Sequence, residues 1–242
     1  MFRLMYKFII TVFLSFIFFL SVAQTKVTHT NLLWFNYNNT ILLNKKWGIA
    51  SDIQVRTKDW ASHWSQFALR TGAVYKMNEK FSLSGGFAWF GNVKYFNDEP
   101  VVANEWRPWE ELAVQLKTGS GFFLQRLRVE QRFLQMIVNG KKTEDFEKRQ
   151  RLRYRFEFGF PLSNKKLEIH VGNEVMVNMN YLSDSRFFDQ NRIFCFVNFR
   201  LSPSFLIQYQ YIKLLQWQAA GKVLDDENVF RFSIHQQIKR SK

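Results

Sequence analysis

The sequence predicts an all-β protein, an antiparallel up-and-down transmembrane β-barrel of ten to twelve strands with twelve preferred. The first observation is a period-two alternation in GFFLQRLRVEQRF (121–133) and RQRLRYRFEFGF (149–160). In the former, Leu124, Arg126, Arg128, Glu130 and Arg132 share one face, and Phe123, Leu127, Val129 and Phe133 share the other. In the latter, Arg149, Arg151, Arg153, Arg155 and Glu157 stand opposite Leu152, Tyr154, Phe156, Phe158 and Phe160. Successive strand side chains point to opposite faces, whereas a helix would scatter these arginines around its circumference. One wall is too charged for a packed core and the other too aromatic for open water, which suits lipid outside and a polar lumen inside. The second observation is composition. Hydrophobic residues make up 47% of the chain and aromatics 18%, yet mean hydropathy is -0.24. No apolar run reaches the roughly 18 residues of a spanning helix. The third is that short connections alternate with longer polar ones, as barrel turns and outer loops do and as a soluble sandwich has no reason to do.

Taken in order, Met1–Ala23 reads as a cleaved secretory signal. Arg3 and Lys7 supply its positive start, Phe8–Leu20 its apolar stretch, and Ser21, Val22 and Ala23 a small-residue cleavage site. Gln24–Lys242 then forms one barrel domain (24–242). The expected strands are 30–43, 47–57, 63–76, 80–95, 104–118, 121–134, 147–160, 166–178, 188–200, 204–216 and 228–238. Most reach or exceed the ~9–11 residues that cross a bilayer at a tilt. Trp47, Ile49, Ile53 and Val55 oppose Asp52, Gln54 and Arg56; Leu167, Ile169, Val171, Val175 and Val177 oppose Glu168, His170, Glu174 and Asn178. Short connections fall at Asn44–Lys46, Met77–Glu79, Gly119–Ser120, Pro161–Lys165 and Leu201–Pro203. Longer ones fall at Lys58–Ser62, Phe96–Ala103, Gln135–Phe146, Met179–Phe187 and Trp217–Glu227.

Eleven segments sit awkwardly with the even strand number usual in single-chain bacterial barrels. With the long loops outside, the first strand would start at the outer end. Either Lys26–Phe35 holds a further short strand, or the N-terminal segment threads the lumen, or a loop is misplaced. Gln125, Gln131, Asn173 and Asn191 would be polar residues on the lipid side.

The segments Arg107-Pro108-Trp109-Glu110, RLRVEQRF (126–133), RLRYRFEFGFPL (151–162), Gly172-Asn173-Glu174 and Asp189-Gln190-Asn191-Arg192 carry a resemblance. As a set they resemble a family of outer-membrane β-barrels of Gram-negative bacteria known only as a domain of unknown function. The resemblance covers nearly all of the chain after the signal. It implies a barrel in the outer membrane, with no activity and no functional residues to carry over.

The candidate site is a luminal charge network. Glu105, Arg107 and Glu111 come from one strand, and Arg126, Arg128, Glu130 and Arg132 from the next. Arg149, Arg151, Arg153, Arg155 and Glu157 follow, then Glu168 and Glu174, and finally Arg192, Arg200 and Arg231. If strands 121–134 and 147–160 pair, their arginines line one stripe, and directly opposed like charges repel. Glu105 and Glu111 on one side and Glu168 and Glu174 on the other are placed to interleave. Two uses follow: a network that fills and stiffens the lumen, or an anion-attracting constriction, since rings of Arg select anions in pores.

Other classes find little support. The net charge of +14 would suggest nucleic acid, but an exported chain with arginines in strand alternation beside glutamates excludes it. Outer-membrane lipids, including lipopolysaccharide, suit exposed Lys141, Lys142, Lys239 and Arg240 as partners. The lone Cys195 excludes an internal disulfide framework and reads as a buried or lipid-facing thiol. A barrel-type lipid-modifying enzyme would need a Ser–His pair with an orienting group. Ser233 and His235 are the adjacent pair, at a spacing common by chance. His170 with Glu174 lacks a third metal ligand in reach. No enzyme activity, cofactor or metal is expected, and oligomeric state is left open.

Overall fold

The computed structural model describes residues 26–162, 166–181, 187–218 and 223–239. The signal segment Met1–Ala23 and Arg240 lie outside the described residues. The strands are β1 (Lys26–Leu42), β2 (Trp47–Lys58), β3 (His63–Lys76), β4 (Phe81–Phe96), β5 (Glu99–Thr118) and β6 (Gly121–Val138). They continue with β7 (Lys141–Pro161), β8 (Leu167–Asn178), β9 (Phe188–Arg200), β10 (Phe205–Trp217) and β11 (Val223–Lys239). Sequential neighbours pair antiparallel around a closed barrel. The count among the described residues is thus eleven, within the expected ten to twelve and not the preferred twelve.

Parity is resolved at the seam. With an odd number of up-and-down strands, the first and last run the same way. β1 therefore pairs β11 in parallel, from Lys26 opposite Val223 to Leu42 opposite Lys239. This closure leaves no free sheet edge. Lys26–Phe35 is the start of one long strand and not an additional one. β1 begins at the same end as the β2–β3 and β10–β11 connections, here the upper end.

Two expected long loops are corrected. Phe96–Ala103 is a two-residue turn, with Asn97 and Asp98 at φ 50° and 65°, and Gln135–Phe146 turns at Asn139 and Gly140, at 50° and 73°. Successive positive-φ residues match the twist of the flanking strands, and Asn-Gly is the strongest short hairpin signal. The polar run Lys141–Asp145 obscured it: strand extending past the barrel wall has no reason to alternate. The β6–β7 hairpin consequently projects at the upper end. At the lower end, Asn44, Asn78 and Ser202 repeat one device. The Asn44 side chain accepts from the N–H of Lys46 and of Trp47, both at 2.8 Å. Asn78 does the same for Lys80 at 2.8 Å and Phe81 at 2.9 Å, and Ser202 for Ser204 at 3.2 Å and Phe205 at 3.1 Å. Such side-chain-to-backbone bonds stabilise turns that Asn and Ser form best. Pro108 is tolerated inside β5 because the ladder to β6 passes over Arg107 and Pro108.

The outer face is apolar along every strand, with Ile53, Leu69, Ile193 and Tyr209 each more than half exposed. Cys195 faces out with them. Of the polar residues expected there, Asn173 donates to Asn191 at 3.0 Å and receives a bond back at 3.3 Å. Gln125 accepts from the Tyr154 hydroxyl at 2.8 Å. Pairing across strands lowers the cost of such groups in an apolar surrounding. The inner face is less uniformly polar than expected. Leu32, Trp34, Phe194, Phe196, Ile212, Leu214 and Val229 form a buried cluster along β1, β9, β10 and β11. The charged wall occupies the β5–β8 side. The barrel interior is therefore half aliphatic and aromatic, half ionic.

Parallel closure has a direct test. Tyr37 and Ile234 face outward, directly opposite each other in the β1–β11 register. Replacing both with cysteine in a Cys195→Ser background should give a spontaneous disulfide that shifts gel mobility under non-reducing conditions, since adjacent strands lie within disulfide reach. A barrel closed by an additional strand between β1 and β11 would leave the two thiols free.

Candidate functional site: the luminal arginine–carboxylate network

The β6–β7 register sets the electrostatic problem. Arg126 lies opposite Arg155, Arg128 opposite Arg153, and Arg132 opposite Arg149, with only Glu130 against Arg151 offering a favourable pair. Like charges directly opposed on one face destabilise a sheet. Carboxylates reach in from the flanking strands to separate them. Glu111 of β5 accepts from Arg128 Nε at 2.7 Å and lies 3.3 Å from Arg126 Nε. Glu174 of β8 accepts from Arg126 Nη2 at 2.7 Å and from Arg153 Nη2 at 2.9 Å, with Arg192 Nη1 at 3.5 Å. Glu174 thus serves guanidinium groups from three strands, and Glu111 serves two from β6.

A second tier lies towards the upper end. Glu130 accepts from Arg151 Nε at 2.9 Å and Arg153 Nη1 at 2.6 Å, with Arg107 and Arg128 each at 3.9 Å. Glu105, 1% exposed, accepts from Arg107 Nε at 2.5 Å, Arg132 Nε at 2.6 Å and the Asn92 amide at 3.0 Å. Arg151 also donates to Asp189 at 2.8 Å. At the top, Glu147 accepts both Arg149 nitrogens, at 2.8 and 2.6 Å, and the Tyr181 hydroxyl at 2.9 Å. Guanidinium faces are used too. Arg107 covers Phe90 at 3.7 Å, Arg155 covers Phe194 at 4.2 Å and Arg128 covers Trp109 at 4.4 Å. These contacts give buried cations a second stabilising partner.

Towards the lower end, Glu157 bonds Arg155 and lies 2.8 Å from His170 Nδ1. His170 Nε2 is 3.1 Å from the Asn198 amide, and its ring stacks on Phe196 at 4.2 Å. Glu168 does not join the β6–β7 arginines. It faces His170 Nε2 at 3.4 Å and Arg200 at 3.7 Å, and Arg200 is 45% exposed at the rim. Ser233 and His235 share the inner face without bonding each other. Among the described residues Ser233 Oγ and His235 Nε2 have no hydrogen-bond partner.

Sequence reasoning missed several members. Asp189 escaped because strict alternation from Arg192 would turn it outward. The β8–β9 register shifts between Met176 and Val177, where Gln190 and Phe188 are matched and Asp189 is skipped. That bulge turns Asp189 and Gln190 inward together. Asp52, Arg56 and Arg70 were on the polar face of their strands but carried no clustering signal. Arg70 Nε is 2.9 Å from Asp52. Trp109 escaped because it reads as an aromatic in an irregular segment.

The lumen holds a cavity of about 1070 Å³. Its lining includes Lys58, Lys94, Glu147 and Trp217 near the upper end and descends to Leu124, His170, Gln208 and His235. Trp109 lies over Gly72, where a Cβ would come within 2.7 Å of Cζ2 of its ring. Phe122 lies over Gly159 in the same way and stands edge-on to His170 at 5.3 Å. Glycine at both positions leaves the depth that a large ring fills.

The family model described as Protein of unknown function (DUF2490) matches residues 31–225. No curated protein matches the sequence. Among solved structures, the chain is similar to the beta domain of the Bordetella autotransporter Brka. Identity there is 11%, over 69% of this chain and 76% of that one, with a TM-score of 0.46. It is also similar to the siderophore receptor PirA from Pseudomonas aeruginosa, at 9% identity over 74% of this chain and 32% of that one, with a TM-score of 0.32. For OccK8 (OprE) from Pseudomonas aeruginosa the identity is 9%, over 73% and 56% of the two chains, with a TM-score of 0.36.

Removing a shared carboxylate should be costly. Glu130→Ala leaves Arg151 and Arg153 buried without that partner and should destabilise the folded form by about 3–5 kcal/mol. Unfolding in detergent micelles, followed by the gel mobility of the unboiled protein, measures the change. A variant as stable as the wild type would show that the ion pairs contribute nothing net.

Proposed function

The chain belongs to the DUF2490 family, which brings no activity with it, and from the geometry we propose an outer-membrane barrel with a blind, arginine-walled vestibule. The outer face supports the membrane reading: apolar side chains are exposed on all sides of the barrel, far beyond the few hundred Å² that water tolerates as one patch. Only a closed barrel or helices satisfy every backbone group in lipid, and the secretory signal expected at Met1–Ala23 supplies export. Membrane lipids would contact the exposed apolar side chains of the outer face, and Lys141 and Lys142 on the projecting hairpin would meet anionic glycolipid headgroups.

One observation carries the vestibule. The β6–β7 arginines are bound to carboxylates instead of lining a clear path, and Trp109 and Phe122 lay large rings over Gly72 and Gly159 on the inner face. The network is then structural, and the open upper end is the functional face, suited to holding a solute or partner and not to free diffusion. Catalysis is not part of this reading, since Ser233 and His235 lack the mutual bond and the orienting group that nucleophile activation needs. A second reading is a narrow anion-preferring pore. It is favoured by the excess of luminal arginines, because among the described residues Arg56 and Arg231 bond glutamines and no carboxylate.

Planar-bilayer recording separates the two. The wild-type protein should give no stable conductance steps. Trp109→Ala combined with Phe122→Ala should open steps with anion preference, because the exposed wall is arginine-rich. Steady anion-selective steps from the wild type would establish the pore instead.

A further inference from the structure

The arginines outside the carboxylate network are not scattered. Arg56 on β2 and Arg231 on β11 both lie directly opposite Trp34 of β1, one on each side. Adjacent strands are about 4.8 Å apart, so the two backbones stand roughly 10 Å from each other across a single rung. The Arg56 guanidinium covers the Trp34 ring at 4.0 Å, and Arg192 approaches the same ring at 5.4 Å. All three line the cavity. Arg56 and Arg192 meet at one indole and Arg231 stands beside it on the next strand, so like charges gather without separation.

Their anionic partners are few. Among the described residues Arg56 donates to Gln54 at 2.7 Å and has no carboxylate, and Arg231 bonds Gln208 and Gln210 and has none. Arg192 bonds Gln190 at 2.7 Å and shares Glu174 at 3.5 Å, after Arg126 and Arg153 have taken the shorter contacts. The Nε atoms of Arg56, Arg192 and Arg231 are all buried and unpartnered. Elsewhere in this lumen such cations are matched to carboxylates, as buried charges must be. Here glutamines hold the guanidinium groups by their outer nitrogens and leave the inner N–H groups unused.

We propose that Arg56, Arg192 and Arg231 around Trp34 form a binding site for the phosphate or carboxylate group of a small water-soluble anion entering from the upper end. Arginine is the residue suited to this, because its planar fork donates parallel bonds to tetrahedral and planar oxyanions. The aqueous source is favoured over a lipid headgroup because the site lies inside the barrel wall and its cavity is lined up to Lys58 and Gln218 at the upper connections. The proposal rests on the vestibule reading, although a site of this kind could be lost without opening the barrel.

The test is isothermal titration of the detergent-folded protein with inorganic phosphate and with citrate, at constant ionic strength set with chloride. Saturable heat with either anion is expected, and Arg56→Gln combined with Arg231→Gln should weaken it at least about tenfold. The double variant should also melt no lower than the wild type without anion, because it loses no ion pair and the repulsion it relieves offsets the lost ring contact of Arg56. Lys141→Gln with Lys142→Gln, at the hairpin tip, should bind as the wild type does. No saturable heat, or equal binding by the Arg56/Arg231 double variant, would overturn the site. Displacement of phosphate by short-chain phosphatidic acid but not by citrate would overturn the soluble source. Conductance through the wild type in a bilayer would remove the vestibule reading separately.

Discussion

The structure depends on arginines that the strand register forces together. Arg126 against Arg155, Arg128 against Arg153 and Arg132 against Arg149 would push β6 and β7 apart if left alone. What holds that wall is the placing of Glu111, Glu130, Glu174 and Glu105 among its guanidinium groups, with Glu174 and Glu105 bonding arginines of different strands. Each carboxylate accepts from more than one arginine, so the side-chain ordering that an isolated exposed pair would require is shared. The low dielectric of the interior strengthens these bonds and equally raises the cost of leaving any member unpaired. A network of this kind is all or nothing.

The opposite wall solves a different problem. There the parallel seam of β1 and β11 meets β9 and β10, and the inward positions are Leu32, Trp34, Phe194, Ile212, Leu214 and Val229. These interdigitate as a core does, and they need no register-specific partner. The ionic half fixes β5 to β8 in one register, because a slip of one residue would turn every arginine to the outer face. Between the two halves stands the rung of Arg56, Trp34 and Arg231, where cations meet the aromatic wall with little carboxylate to balance them.

Much of this was legible in the residues. Alternation over 121–133 and 149–160 reported both strands and their inner faces, because period two is the one signal a strand cannot hide. The inward residues of those two strands, Arg126 to Arg132 and Arg149 to Glu157, followed from it. Three features were not legible, each for a physical reason. Strand ends beyond the wall, as at Lys141–Asp145, lose alternation because both faces meet water. Asp189 sits at a bulge, and a bulge breaks the parity on which facing assignments rest. The Arg56–Trp34–Arg231 rung joins the first two strands to the last, and no local pattern reports a contact made only when the barrel closes.

A double-mutant cycle on Arg153 and Glu174 tests the central claim most directly, because these residues come from adjacent strands and bond at 2.9 Å inside the network. Arg153→Met, Glu174→Gln and the combination would be compared with the wild type by equilibrium unfolding in micelles. If the carboxylates hold the aligned arginines together, the double variant should be less destabilised than the two single changes summed, by about 1–3 kcal/mol. Additivity within about 0.5 kcal/mol would contradict the account and leave the barrel held by its ladder and its apolar wall alone.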